Sequence, residues 1–137
     1  MNEMRISIQS KLCNESIIRT SALAFLLPLN LSIETMMEIK TILAEAIVNA
    51  MIHGYDSKED EFIDVLLAYD DLKITMIVKD EGCGIDDINL AMTPLYTSKS
   101  QQERSGMGMS IMESFCDEFY IDSALNQGCT LTMIKYY

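Results

Sequence analysis

The chain has 137 residues and carries 21 acidic side chains against 10 basic ones, for a formal net charge of −11. One domain of this size buries roughly 68–70% of its unfolded surface, so a core forms without disulfide or metal staples, and 49% apolar residues can supply it. The acidic balance disfavours direct contact with nucleic acid or with an anionic membrane, both of which require clustered Lys and Arg.

Cys13, Cys83, Cys116 and Cys129 lie far apart, and His53 is the only histidine, so a zinc site is not expected. No secretory n-region or h-region opens the chain, and the thiols read as reduced, small buried hydrophobes of a cytoplasmic protein. The most apolar stretch, Ala22 to Leu31, is broken by Pro28 and Asn30. It is about half of the ~20 residues needed to span a bilayer, so no membrane segment is expected.

In chain order, Met4 to Gln9 alternates with the period of a half-buried strand. Asn14 is placed to cap a helix that carries Ile17, Ile18, Ala22, Phe25 and Leu26 and cannot continue through Pro28. The longest helical pattern runs from Ile33 to His53, with Ser32 as N-cap, Glu34 in the first turn and Gly54 just past the end. Phe62 to Tyr69 and Leu72 to Lys79, joined at Asp70-Asp71, read as an antiparallel hairpin. A short helix is expected at Asp87 to Met92, followed by a long polar loop from Thr93 to Gly108, of the kind that serves as a lid or binding segment. Met107 to Cys116 has helical spacing, and Phe119 to Ser123 with Thr130 to Tyr136 form a closing strand pair around Gln127-Gly128. These elements predict an α/β fold: a two-layer sandwich with helices on one face of a mixed, mostly antiparallel sheet.

In the central helix, Met36, Ile39, Leu43, Ile47, Ala50 and Met51 fall in one stripe, with Glu45 and Asn49 roughly opposite. Glu45 and Asn49 are one turn apart and suit either a shared ligand or a solvated face. His53 suits a helix C-terminal cap. Asp80-x-Gly82-x-Gly84 after a strand sets a carboxylate beside backbone that a flat ligand can approach, and a fixed carboxylate accepts from an exocyclic amine. Arg104-Ser105-Gly106-Met107-Gly108 runs into a helix whose first N–H groups are open to phosphate, although a hinge has the same composition.

The order Glu45…Asn49, Asp80-x-Gly82-x-Gly84, Gly106-x-Gly108, Gly128 resembles the Bergerat-type ATP-binding fold of gyrase B, Hsp90, histidine kinases and MutL. More narrowly, Glu38 to Ile42 running into Asn49 to Tyr55, with Glu103 to Gly108 and Ile111 to Glu113, resembles the anti-sigma F factor family of spore-forming bacteria. The resemblance covers nearly the whole chain, read as a single ATP-binding domain over residues 1–137. It implies ATP/ADP and Mg2+ as cofactors. Asn49 would hold the metal, Glu45 would be the base, Arg104 would meet the terminal phosphate, and Asp80 would read the adenine amine. Gly82 and Gly84 would allow close approach to the base. Gly106 and Gly108, with Thr97, Ser98 and Lys99 of the lid, would line the phosphate side. Arg19 matches an arginine that contacts protein partners.

One departure concerns the final motif, where relatives place Thr directly after the glycine. Here Gly128 is followed by Cys129, and Thr130 comes next as the adenine-side candidate.

The family further implies a homodimeric, cytoplasmic protein serine kinase that, with ATP, inhibits the sporulation sigma factor F. It would phosphorylate a small anti-anti-sigma factor, stage II sporulation protein AA, on serine. The acidic surface would complement a basic sigma factor and speed encounter. The alternative is a nucleotide-gated sigma-binding module without kinase activity.

Overall fold

The computed structural model describes residues 1–55, 58–83, 108–123 and 126–137, with no account of the side chains at 53 and 108. Five strands, β1 (Asn2–Gln9), β2 (Phe62–Tyr69), β3 (Lys73–Asp80), β4 (Glu118–Ser123) and β5 (Cys129–Tyr136), form one sheet in the order β1-β2-β3-β5-β4. All four pairings are antiparallel, so the described sheet is antiparallel throughout rather than mixed. The β4–β5 hairpin returns beside β3, which brings the start of β5 against the end of β3. That placement builds the site.

Side chains alternate across the sheet, and the inward set is Ile63, Val65 and Leu67 on β2, Ile74, Met76 and Val78 on β3, and Leu131 and Met133 on β5. Helices α1 (Glu15–Leu26), α2 (Ile33–Asn49) and α3 (Gly108–Phe115) cover this face. In α1, Ile18, Ala22 and Leu26 recur every four residues and are all buried. The expected stripe of α2 is buried apart from Met36, which is half-buried. Ile42, Ala46 and Val48 are buried as well, because α2 lies between α1 and α3 and has packed flanks in addition to its sheet-facing stripe.

The local signals account for most boundaries. Ser32 caps α2 by accepting from the Thr35 N–H at 3.1 Å. Asp70 Oδ1 accepts from the N–H groups of Leu72 and Lys73 at 2.8 and 3.0 Å, which closes the β2–β3 turn. Asn14 does not cap α1. A tight turn over Leu12–Asn14 runs directly into the helix and holds Asn14 in helical geometry, and its amide donates instead to the Gln9 carbonyl at 2.9 Å. Beyond Leu26 the chain continues as a tight turn through Pro28 and is ended by Asn30 in the left-handed region, φ 51°.

Lys135, inward on β5, joins the layers: its Nζ meets Glu38 Oε2 of α2 at 2.6 Å and the Phe115 carbonyl at the end of α3 at 2.9 Å. No disulfide joins the four cysteines, but only Cys129 is fully buried and Cys13 is exposed, so the reading of small buried hydrophobes does not hold for Cys13. Among the described residues, no helix is long and apolar enough to cross a membrane.

Candidate functional site

Asp80 is the last residue of β3 and continues the inward series Ile74, Met76, Val78, which delivers a carboxylate to the helix side of the sheet. It is 4% exposed. Burial pushes its pKa up to about 6, against the lowering effect of hydrogen bonds from the Gly82 and Cys129 backbone N–H groups. The Gly82 N–H lies 2.9 Å from Oδ1.

The backbone packed around Asp80 comes from three places. The α-helical ladder of α2 ends at Asn49, and residues Ala50–Gly54 form a wider turn in which the Tyr55 N–H donates to the Ala50 carbonyl, five residues back, at 2.9 Å. The expected regular helix to His53 is therefore replaced by a π-type turn, a feature frequent at functional sites. Gly54 lies inside that turn rather than beyond the helix as a left-handed cap. Its role is contact: a Cβ there would lie 2.7 Å from Asp80 Cγ.

Gly82 is held tighter still. A Cβ on it would stand 1.9 Å from the Gly54 carbonyl oxygen, and the next residue, Cys83, donates its N–H to that same oxygen at 2.8 Å. On the third side Gly128 has φ +81°, and a Cβ there would come 2.3 Å from the Asp80 carbonyl oxygen. These neighbours are backbone and cannot yield as a flexible side chain would. Gly82→Ala is expected to destabilise the fold by about 2–3 kcal/mol, measured by urea unfolding. An alanine variant of wild-type stability would contradict the packing described.

Glu45 and Asn49 are half-buried on the last turns of α2, directly ahead of the turn that carries Gly54. The sequence thus leads from a carboxylate and an amide, through the π turn, to the Asp80 cluster. Gly108 opens α3, which packs on α2. Gly84, Thr97, Ser98, Lys99, Arg104 and Gly106 lie outside the described residues, as do the helix expected at 87–92 and residues 93–107 of the loop.

Thr130 falls on the parity of the sheet opposite to Asp80. It pairs with Lys79 on the outward parity of the sheet, whereas Cys129 pairs with Asp80 and is buried in the core. The β5 side chain beside Asp80 is therefore the Cys129 thiol. Burial foremost, then the Asp80 charge, pushes that thiol up to about 12, so it remains a neutral, weakly polar wall. Arg19, on α1, is half-buried and faces Glu15 one turn earlier, with Nε 3.4 Å from Oε1.

Two residues with evident roles here were not singled out for them in the sequence: Gly54 as a contact glycine, and Tyr55. Their clash and hydrogen-bond partners, Asp80 and Glu81, are 26 residues further along the chain, and no local pattern reports such a contact.

Chemically, a buried carboxylate packed against side-chain-free backbone suits a flat ligand bearing an exocyclic amine, because the glycines permit close approach and the carboxylate accepts the hydrogen bond. Among the described residues, no three His, Cys, Asp or Glu side chains cluster as a protein-only metal site.

Comparison with known proteins identifies the family. Residues 8–135 match the family described as histidine kinase-like ATPase domain. The chain is 41% identical over 134 residues to the anti-sigma F factor of Clostridium novyi (strain NT), covering 98% of this chain and 94% of the relative. It is 40% identical over 136 residues to the anti-sigma F factor of Geobacillus stearothermophilus, covering 99% and 93%. In fold it is similar to a crystal structure of the RsbU and RsbW domains of Rv1364c from Mycobacterium tuberculosis, with TM-score 0.70 at 17% identity, over 98% of this chain and 32% of that one. The chain belongs to the anti-sigma F factors, and its fold is that of the histidine kinase-like ATPase domain.

Proposed function

We propose that the chain is a cytoplasmic, homodimeric protein serine kinase and anti-sigma factor, a single domain in which one nucleotide site serves both activities. With ATP it binds and inhibits the sporulation sigma factor F; it phosphorylates a small anti-anti-sigma factor on serine and so releases it. The observation that carries the reading is the buried Asp80 carboxylate at the end of β3, packed against Gly54 and bonded by the Gly82 N–H, beside the turn that follows the helix bearing Glu45 and Asn49.

In this reading Asp80 accepts the adenine amine, and the three glycines let the base lie close to the backbone. Cys129 closes the base side where relatives place Thr. Asn49 would hold Mg2+ by its amide oxygen, a hard oxygen donor of the kind that ion takes. When bound there, the ion would supply neutralisation of phosphate charge for phosphoryl transfer, which depends mainly on positioning and electrostatics. Glu45 takes the proton of the attacking serine hydroxyl, and Arg104 faces the terminal phosphate. Gly84, Gly106 and Gly108, with Thr97, Ser98 and Lys99, line the base and phosphate sides. Arg19 contributes to partner contact, for which its pairing with Glu15 must loosen or be shared.

The test is transfer of label. Incubated with γ-labelled ATP, magnesium and the anti-anti-sigma factor, the protein is expected to label the antagonist on serine and not to label a variant lacking that hydroxyl. Absence of transfer with sigma inhibition intact would leave a nucleotide-gated binding module in its place.

A further inference from the structure

The Tyr55 ring is buried, at 6% exposure, in the hydrophobic core, and its hydroxyl is used twice. It donates to the Phe62 carbonyl at 2.7 Å and accepts from the Glu81 N–H at 2.7 Å. Phe62 begins β2, and Glu81 is the residue between Asp80 and Gly82. The Tyr55 backbone N–H closes the π turn on Ala50 at 2.9 Å. One residue therefore ties together the wide turn after α2, the first residue of β2 and the peptide that follows Asp80. The separation in sequence from Tyr55 to Glu81 is 26 residues, so no local geometry does this work for it.

We infer that Tyr55 is a positioning residue for base recognition, its hydroxyl holding the peptide after Asp80 so that the carboxylate stays directed at the exocyclic amine of the purine. The inference rests on the nucleotide reading above and assigns to that site a specificity determinant that does not itself touch the ligand. The angular constraint is what matters. Asp80 is already packed against Gly54, and Gly82 donates to Oδ1, so the carboxylate rotates only if the 80–82 backbone moves. The Glu81–Tyr55 hydrogen bond resists that movement. The hydroxyl stays protonated for its donor role, because burial foremost, with the Asp80, Glu61 and Glu81 charges, holds the phenol above its ordinary pKa despite the Glu81 N–H.

Tyr55→Phe keeps the ring and removes both hydrogen bonds. Its effect is read in the ratio of affinities for ATP and ITP, whose hypoxanthine base presents a carbonyl where adenine presents the amine. Wild type is expected to prefer ATP; equal binding of the two would overturn the adenine reading itself. If wild type discriminates, Tyr55→Phe is expected to narrow the ratio at least fivefold, while the ratio of ATP to ADP affinities stays within twofold of wild type. An ATP/ITP ratio unchanged in a folded Tyr55→Phe variant would overturn the positioning role.

Ile18→Val, a destabilising change in the buried face of α1 away from the hydroxyl, is the control and should leave the ratio unchanged; a similar narrowing there would assign the effect to loss of stability. A measurement on wild type keeps the inference testable if the variant fails to fold. The Glu81 amide should exchange with deuterium at least tenfold more slowly than the amide of exposed Glu59 or Asp60, and equal exchange would contradict the hydrogen bond.

Discussion

Glu45→Gln is expected to reduce phosphoryl transfer to the anti-anti-sigma factor by about 10²- to 10⁴-fold, the range lost with a general base. ATP affinity should stay within about threefold. The substitution is nearly isosteric and falls on a half-buried position of α2, so the helix that carries Asn49 and leads into the Gly54 turn is preserved. An amide cannot accept the hydroxyl proton at neutral pH, whereas its oxygen still accepts hydrogen bonds. The split between lost chemistry and kept binding is the diagnostic outcome, measured by single-turnover labelling alongside calorimetric titration of ATP. A variant that retained transfer would remove Glu45 from the role of base. One that lost ATP binding equally would make it a binding residue instead.

Asp80→Asn is expected to act in opposite directions on stability and on binding. The folded-state pKa of about 6 lies about two units above the ordinary value of 3.8, because the charged form is buried. The associated stability is fully present below about pH 4 and is lost as pH rises through about 6. A shift of that size corresponds to about 3 kcal/mol as an upper bound. Wild-type apoprotein should therefore lose stability between about pH 4 and 6 through this group, and the asparagine variant should show a shallower decline. At pH 7.5 the variant should be about 1–3 kcal/mol more stable in urea unfolding, since its amide oxygen can still accept from Gly82 and no charge is buried.

Binding moves the other way. The asparagine can turn an N–H₂ toward the adenine amine, donor against donor, and the loss of a charged acceptor is expected to weaken ATP about 10–100-fold. In wild type, ATP affinity should fall as pH drops through about 6 and Asp80 takes up a proton. A variant both less stable and as tight for ATP as wild type would contradict the assignment. The proposed role in base recognition accounts for so poorly solvated a carboxylate at the end of a strand whose inward neighbours are Ile74, Met76 and Val78.

Much of this arrangement was legible from local pattern. Period-two alternation placed Phe62 to Tyr69 correctly, the Ser32 hydroxyl marked the start of α2, and the Asp70-Asp71 pair marked the hairpin turn, because each signal is settled within a few residues. Asp80 was legible as a candidate from its glycines, though its burial followed only from the inward parity of β3. What escaped depends on contacts between distant segments. The π turn at Ala50–Gly54 keeps an apolar pattern that reads as ordinary helix, and the need for Gly54 arises only when Asp80 lies against it. Which of Cys129 and Thr130 stands beside Asp80 is a question of parity, set by the pairing of Asp80 with Cys129, and one residue of register reverses it. Asn14 was a sound cap by composition, overridden by the turn at Leu12–Asn14.

In the proposed function, binding of the sigma factor depends on ATP at this one site. A tenfold preference for sigma factor in the ATP form over the ADP form requires about 1.4 kcal/mol of differential binding. The most direct measurement is isothermal titration of the full chain with the purified cognate sigma factor F, in magnesium with ATP and then with ADP. The account predicts binding at least tenfold tighter with ATP, and loss of that difference in Asp80→Asn at nucleotide concentrations that saturate wild type alone. Equal affinity for the sigma factor with ATP, with ADP and without nucleotide would contradict it.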